Sequence, residues 1–238
     1  VSIGNQSGQE WAENIISELK SMPNVTVKNR SQVFGYYDHN MLVMSERISD
    51  HLPKTNKYTP KQRLWYIRAK EVVISSGSIE RPLVFGNNDT PGVMLSSAAK
   101  EYLKIYGVLV GKKPLVFTNN DSGYETAIEF KKNGINPVIL DTRKDPNSEV
   151  VNEAKSLNID IKFSYVVVSA KGYKKVKSAD IAKISEDKKQ LSQIENINCD
   201  CICVSGFWTP TIHLASQSGN KTKFNEDIDA FIPSHSKQ

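Results

Sequence analysis

The chain has 238 residues, 39% of them hydrophobic and 24% charged, with a formal net charge of +5. That is an ordinary globular composition, long enough for one large domain or two small ones. No apolar run approaches the roughly 20 residues of a membrane span, and the charge lacks the concentrated basic face of a nucleic-acid binder, so neither a membrane nor a nucleic acid is an expected partner.

Val1 to Gln9 is mostly polar, so no secretory leader and a cytoplasmic location are expected. A start at Val1 rather than Met suits a processed product or an excised piece. Residues 9–22 place Trp11, Ile15, Ile16 and Leu19 at helical spacing, which predicts a helix with a core-facing stripe. Val25–Lys28 reads as a short strand. Apolar stretches flank Asp38-His39-Asn40, and Asn tolerates left-handed geometry, so a hairpin is expected there. Residues 50–62 form a polar loop with two prolines. Strand character resumes at 63–76 and ends in Ser75-Ser76-Gly77-Ser78, followed by Glu80-Arg81-Pro82. Small residues after a strand let another group approach the backbone, in nucleotide-binding proteins often a cofactor.

The rhythm then changes. Residues 96–106 predict a helix capped by Ser96 or Ser97. Pro114–Phe117 is a strand, 121–134 a helix stopped by Gly134, and 137–141 a strand. Residues 148–157 are a helix, and a second β-rich stretch begins at Asp160. Strand and helix alternating at this spacing make a small parallel-sheet unit. "CDCICVSGFWTPTIHL" (199–214) repeats the earlier pattern: a hydrophobic strand, then Ser205-Gly206, then Pro210. Two such exits, one before and one after a βαβ unit, imply an inserted domain. The chain leaves the first domain near Gly77–Pro91 and returns near Ser205–Pro210. The expected division is 1–95 for a partial first domain with a β-meander, 96–198 for the inserted domain, and 199–238 for the return.

A dinucleotide site grips pyrophosphate with G-x-G-x-x-G between a strand and its helix. Here the strand is followed by Thr118-Asn119-Asn120-Asp121-Ser122-Gly123, and only Gly123 occupies a template glycine position. Asn119 and Asn120 can take left-handed backbone angles, but their side chains fill the phosphate volume. Asp121 adds negative charge and is expected to cap the next helix. Asp141 ends the next strand, about where a ribose-binding acid would sit. A fold relic with a filled pocket is the expected state of this loop.

Cys199, Cys201 and Cys203 alternate along a strand, so all three could share one face and pack the core. A zinc site needs four ligands, so no metal is expected. His39, His51, His213 and His235 have no nucleophile partner by spacing and read as structural or solvent-facing, which leaves no catalytic residue to name. Lys171, Lys174, Lys175 and Lys177 read as a solvated hairpin edge whose charges discourage unwanted pairing.

Four strings carry a resemblance: "VFGYYDHN" (33–40), "ERPLVFGNNDTPGVMLSSAAKEYL" (80–103), "VFTNNDSGYETA" (116–127) and "VSGFWTPTIHLASQSGNK" (204–221). On them the chain resembles, over nearly its whole length, the α subunit of heterotetrameric sarcosine oxidase, as a middle piece of it. The resemblance implies an α/β, disulfide-reductase-like fold of two dinucleotide-binding-type domains, the first incomplete and the second inserted. It implies an oxidoreductase that demethylates sarcosine to glycine, reduces oxygen to peroxide and passes the one-carbon unit to tetrahydrofolate. NAD belongs to the full-length subunit, FAD and FMN to the complex with the β subunit, and the partners are the β and smaller subunits. Val33, on the strand whose backbone faces the adenine, and Ser76 and Gly77, at the strand exit, are the cofactor-contact positions that the resemblance implies. The family's Gly-rich loop and folate-type domain correspond to regions before Val1 and after Gln238, so the chain alone is expected to hold no cofactor and to be inactive. Phe207 stands where a glycine is expected after Ser205-Gly206. The alternatives are a non-catalytic scaffold of the same fold, or a subunit of a related amine or opine oxidase.

Overall fold

The computed structural model describes residues 2–235. In chain order its elements are β1 (Ser2–Ile3), β2 (Gln6–Ser7), α1 (Gly8–Ser21), β3 (Ser31–Tyr37), β4 (Met41–Arg47), β5 (Gln62–Arg68), β6 (Ser78–Glu80), β7 (Val93–Leu95), α2 (Ser96–Tyr106), β8 (Pro114–Thr118) and α3 (Ser122–Lys132). There follow β9 (Val138–Asp141), α4 (Glu149–Ser156), β10 (Asp160–Phe163), β11 (Tyr165–Lys171), β12 (Ser178–Lys183), β13 (Glu195–Asn198), β14 (Cys201–Ser205), β15 (Trp208–Pro210), α5 (His213–Gln217), β16 (Lys221–Asn225) and β17 (Ala230–His235). They group into two compact units: 1–76 with 212–224 and 231–238, and 77–211 with 225–230.

In the first unit β3, β4 and β5 form the antiparallel meander. The hairpin turns at Asp38–Asn40, where His39 and Asn40 take left-handed φ of 58° and 51°. Asn40 holds the turn with both ends of its amide: Oδ1 accepts from the Tyr36 hydroxyl (2.7 Å) and Nδ2 donates to the Lys70 carbonyl (3.0 Å). Helix α1 starts with a Ser7–Glu10 capping box. Its apolar stripe is not a core stripe, because none of its residues is buried and Trp11 is 41% exposed.

Two expected strands are absent as ladders. Residues 25–28 are irregular, since pairing with β4 begins only at Arg30, whose carbonyl accepts from Arg47 N–H. Residues 70–77 are also irregular. Val72 and Ile74 are half-buried while Val73 is 91% exposed, a strand-like alternation without a strand partner among the described residues. Alternation sets an extended backbone; a ladder needs a neighbour.

The second unit is built on a five-stranded parallel sheet in the order β10-β9-β8-β14-β7. Parallel strands covered on both faces read as continuous apolar runs, and every residue of β8 and β14 is buried. One face carries Leu115, Phe117, Leu140, Ile202 and Val204 against the antiparallel sheet β11-β12-β13. The other carries Val116, Ile139, Cys201 and Cys203 against α2, α3 and α4. The three thiols are all buried and free, but they do not share a face. Cys199 precedes β14 and packs with the antiparallel-sheet side, because the strand's alternation starts only at Cys201.

The grouping by contacts differs from the division expected from sequence. β7 and β14 lie in one sheet with β8, so residues 77–95 and 199–211 belong with the inserted unit. Helix α2 is also capped differently from expectation. Its N-cap is Leu95, without a side-chain cap bond, and Ser97 N–H donates to the buried Glu80 carboxylate (2.8 Å).

Candidate functional site

Open parallel sheets bind ligands outside the carboxyl ends of their strands, where strand order reverses. Here the chain runs outward from β8 to β9 and β10 on one side, and β14 and β7 lie on the other, so the switch point falls between β8 and β14. The Thr118–Gly123 loop leaves β8 at that point.

Thr118 and Asn120 occupy the first two template glycine positions and bond to each other. Thr118 Oγ1 donates to the Asn120 carbonyl (2.8 Å) and accepts from its N–H (3.1 Å). The Asn120 amide, 8% exposed, spans the switch point: Nδ2 donates to the Ser205 carbonyl (3.1 Å) and Oγ (3.2 Å). Its Oδ1 accepts from Ser122 N–H (2.9 Å), an amide at the start of α3 that a phosphate would otherwise use. Neither Asn119 nor Asn120 takes a left-handed φ; side-chain bonds make this turn. Trp208 Nε1–H donates to Ser122 Oγ (2.7 Å), covering the helix start. Gly123 is needed for packing, since a Cβ there would lie 2.6 Å from Thr118 Cβ. That is the role of the third glycine in the dinucleotide motif.

Asp121 does not cap α3: as N-cap residue it has no side-chain cap bond. Its carboxylate pairs with Arg143 Nη1 (2.8 Å). Arg143 also reaches Asp141 with Nε (3.1 Å) and Nη2 (2.8 Å). Asp141 is fully buried and also accepts from the Tyr124 hydroxyl (2.6 Å) and Arg143 N–H (2.9 Å). Burial, then the bond to Asp141, pushes the Tyr124 phenol far above its ordinary range, so it stays a donor. The acid at the ribose position is thus committed to internal partners. Sequence reasoning missed Arg143; a basic residue two positions after a strand-end acid was the available signal.

At the second exit, Gly206 N–H donates to the Arg81 carbonyl (2.6 Å), and a Cβ at Gly206 would lie 2.9 Å from that oxygen. The close approach is between two backbone segments. Phe207 has φ +96°, a backbone angle suited to the glycine expected there. Glu80 Oε1 and Ser96 Oγ are buried without hydrogen-bond partners among the described residues.

The residues that the resemblance nominated lie elsewhere. Val33 is half-buried in β3, opposite Met44 and beside a bulge. Ser76 is exposed at the end of the irregular 70–77 stretch. Gly77 follows it with φ +69° and open space where a Cβ would stand, so its backbone angle is what calls for glycine. His39 sits in the hairpin turn, His51 Nδ1 lies 3.7 Å from Asp50, His213 opens α5, and the His235 side chain lies outside the described residues. Among the described residues no three His, Cys, Asp or Glu side chains group as metal ligands, and no helix is long and apolar enough to cross a membrane. A concavity of about 490 Å³ opens beside the Lys144–Glu186 pair, and no cysteine or histidine lines it.

The switch point therefore does not fit a pyrophosphate. Asn120 fills the cradle and takes the Ser122 amide, Trp208 covers the helix start, and Asp121 and Asp141 share one guanidinium, which commits that cation and leaves the trio net negative. Its chemistry is that of a self-satisfied polar junction tying three strand ends together.

No family model matches the chain. It is 34% identical over 232 residues to a sarcosine oxidase subunit alpha of Rhizobium meliloti (strain 1021), covering 97% of this chain and 22% of that protein. It is 32% identical over 234 residues to the subunit alpha of Corynebacterium sp. (strain P-1), covering 97% of this chain and 24% of that protein. The chain thus spans about a quarter of the length of these relatives, and the resemblance carried by the four strings extends over nearly all of it. Among solved structures, a T. acidophilum thioredoxin reductase aligns with TM-score 0.64 at 16% identity, over 91% of this chain and 64% of that one. A bacillithiol disulfide reductase from Staphylococcus aureus aligns with TM-score 0.64 at 15% identity, over 100% and 66%. An L-proline dehydrogenase from P. horikoshii aligns with TM-score 0.61 at 19% identity, over 98% and 38%. The fold is the disulfide-reductase-like one that the resemblance implies.

Proposed function

We propose that the chain is a middle stretch of the α subunit of a sarcosine-oxidase-type oxidoreductase. The observation that carries this reading is the 31–34% identity to proteins of that name over 94–97% of the chain. In the complete complex the activity is oxidative demethylation of sarcosine to glycine, with peroxide formed and the one-carbon unit passed to tetrahydrofolate. FAD and FMN supply the redox chemistry at the partnership with the β subunit. NAD sits in the first domain of the complete subunit, with Val33, Ser76 and Gly77 as its contacts from this stretch. Nothing in that chemistry is assigned to the second unit, whose switch point is occupied by Asn120, Trp208 and the Arg143 pairs.

A second reading is favoured by that self-filled loop: the chain is a non-catalytic scaffold of the same fold. One experiment separates the two. The complete reading frame containing this stretch is co-expressed with its neighbouring genes, and sarcosine-dependent peroxide release is assayed. Turnover with sarcosine, together with colourless purified chain that shows no micromolar NAD binding by calorimetry, is the expected pair of results. A complex without turnover on sarcosine overturns the first reading.

A further inference from the structure

The ends of β8 and β14 remote from the switch point carry a second feature. The β11–β12 connection is expected to be a solvated edge, yet it is a tightly folded tip. Val176 is 1% exposed and its N–H donates to the Pro91 carbonyl (2.9 Å). Lys177 N–H donates to the Lys171 carbonyl (2.8 Å). Gly172 has φ +146°, and a Cβ there would collide with the Lys175 carbonyl oxygen. Beside this tip, the Asp200 carboxylate accepts from Lys112 N–H (2.8 Å) and Lys113 N–H (2.7 Å).

These bonds fix the backbone that carries Lys113, Lys175 and Lys177. Lys113, Lys175 and Lys177 line a concavity of about 440 Å³ with Asn198, Cys199 and Asp200. An adjoining concavity of about 200 Å³ shares Lys113, Asn198 and Cys199, reaches down to the buried Pro114 and Leu115, and is also lined by half-buried Val138 and Ile197. Asp200 supplies the one carboxylate on the walls of either concavity, and both its oxygens are engaged by backbone amides. Among the described residues none of the three lysines forms an ion pair, whereas Lys171 next door is held by Asp180 (2.9 Å). Tyr173 stands at the tip 91% exposed. Uncompensated cations spaced along a preformed groove attract extended negative charge and select against positive partners. The cations are three separate lysine ammonium groups, no arginine lines either concavity, and one end carries the half-buried Val138 and Ile197. That arrangement suits spaced carboxylates with an apolar anchor better than a compact phosphate.

We propose that this groove docks an acidic segment of a partner protein, with carboxylates on Lys113, Lys175 and Lys177 and an apolar side chain against the half-buried Val138 and Ile197. The test uses the whole chain and a fluorescein-labelled peptide of sequence EEELLEEE, followed by anisotropy at low and physiological salt. Saturable binding that weakens with salt is expected. Lys175→Glu with Lys177→Glu should weaken it at least about tenfold. Lys175→Arg with Lys177→Arg should retain it, as should Lys54→Glu on the other unit. The lysines are exposed, so thermal melts of these variants should match the parent. Absence of saturable binding overturns the proposal, as does equal weakening by Lys54→Glu. So does tighter binding of inorganic pyrophosphate or of a thymidine decanucleotide than of the peptide, which would assign the cations to phosphate.

Discussion

Arg143 grips Asp141 with two prongs, Nε at 3.1 Å and Nη2 at 2.8 Å, and that carboxylate is completely buried at the end of β9. The pair closes the position where a ribose would be read, and Nη1 of the same guanidinium holds Asp121.

Arg143→Ala should therefore destabilise the fold by about 3 kcal/mol, because it leaves a buried charge with one partner fewer than it needs. Tyr124→Phe removes one donor to the same carboxylate and should cost about 1 kcal/mol. The two costs should not add, since both act on Asp141. Urea melts of the two variants and the double variant check this, and a cost below about 1 kcal/mol for Arg143→Ala would show that Asp141 does not depend on it.

Asn120→Ala should cost about 1–3 kcal/mol, because its amide is buried and leaves Ser122 N–H and Ser205 without their partner. Asp121→Ala should cost less than about 1 kcal/mol, since its ion pair is partly exposed and it caps nothing. Neither variant, nor Asn120→Gly, should bind NAD, because Thr118 and Trp208 still fill the site. Melts paired with a nucleotide titration decide it; a gain of NAD affinity in Asp121→Ala alone would mean an intact pocket merely guarded by charge.

Phe207 inverts an ordinary ranking. Its φ of +96° is costly for any residue with a Cβ. Phe207→Gly should be more stable than Phe207→Ala by about 1 kcal/mol, although glycine normally ranks below alanine. Denaturant midpoints of the two variants measure the difference directly.

Stability should decline on the alkaline side. Burial, with Cys201 and Asp200 nearby, pushes the Cys199 thiol up to about 12. The Cys201 contact and burial raise Cys203 well above its ordinary range. The folded thiols stay protonated while unfolded ones ionise near 8.5. Their contribution is complete below about pH 8 and is lost as pH rises toward 12, by at most about 1.4 kcal/mol per unit per thiol. Urea midpoints between pH 8 and 10 should fall more steeply for the parent than for Cys199→Ala with Cys203→Ala.

The elements legible in the sequence are those fixed by local pattern. Helices α2, α3 and α4 follow their apolar periodicity, and Gly134 ends α3 with φ +79°. The Asp38–Asn40 hairpin follows from the left-handed tolerance of its turn residues. Val25–Lys28 and Val72–Ile74 carry strand-like residues yet form no ladder among the described residues, because hydrogen-bonding neighbours are not encoded in a strand's own alternation. Glu80 at the start of α2 was illegible for the same reason: the capping carboxylate comes from a distant segment rather than from Ser96 or Ser97.

By itself the sequence determined that the loop after β8 has Thr118 and Asn120 at the first two template glycine positions and Gly123 at the third, and that an α/β unit lies between two strand exits. Side-chain volume and backbone freedom decide those points residue by residue. Only the tertiary structure decided which groups meet at the switch point. Asn120 bridges to Ser205, Arg143 joins Asp121 to Asp141, and Trp208 covers Ser122 because the parallel sheet brings the ends of β8, β9 and β14 side by side. Hydrogen bonds and ion pairs are distance-limited, so partners far apart along the chain become visible only once the strands are in register.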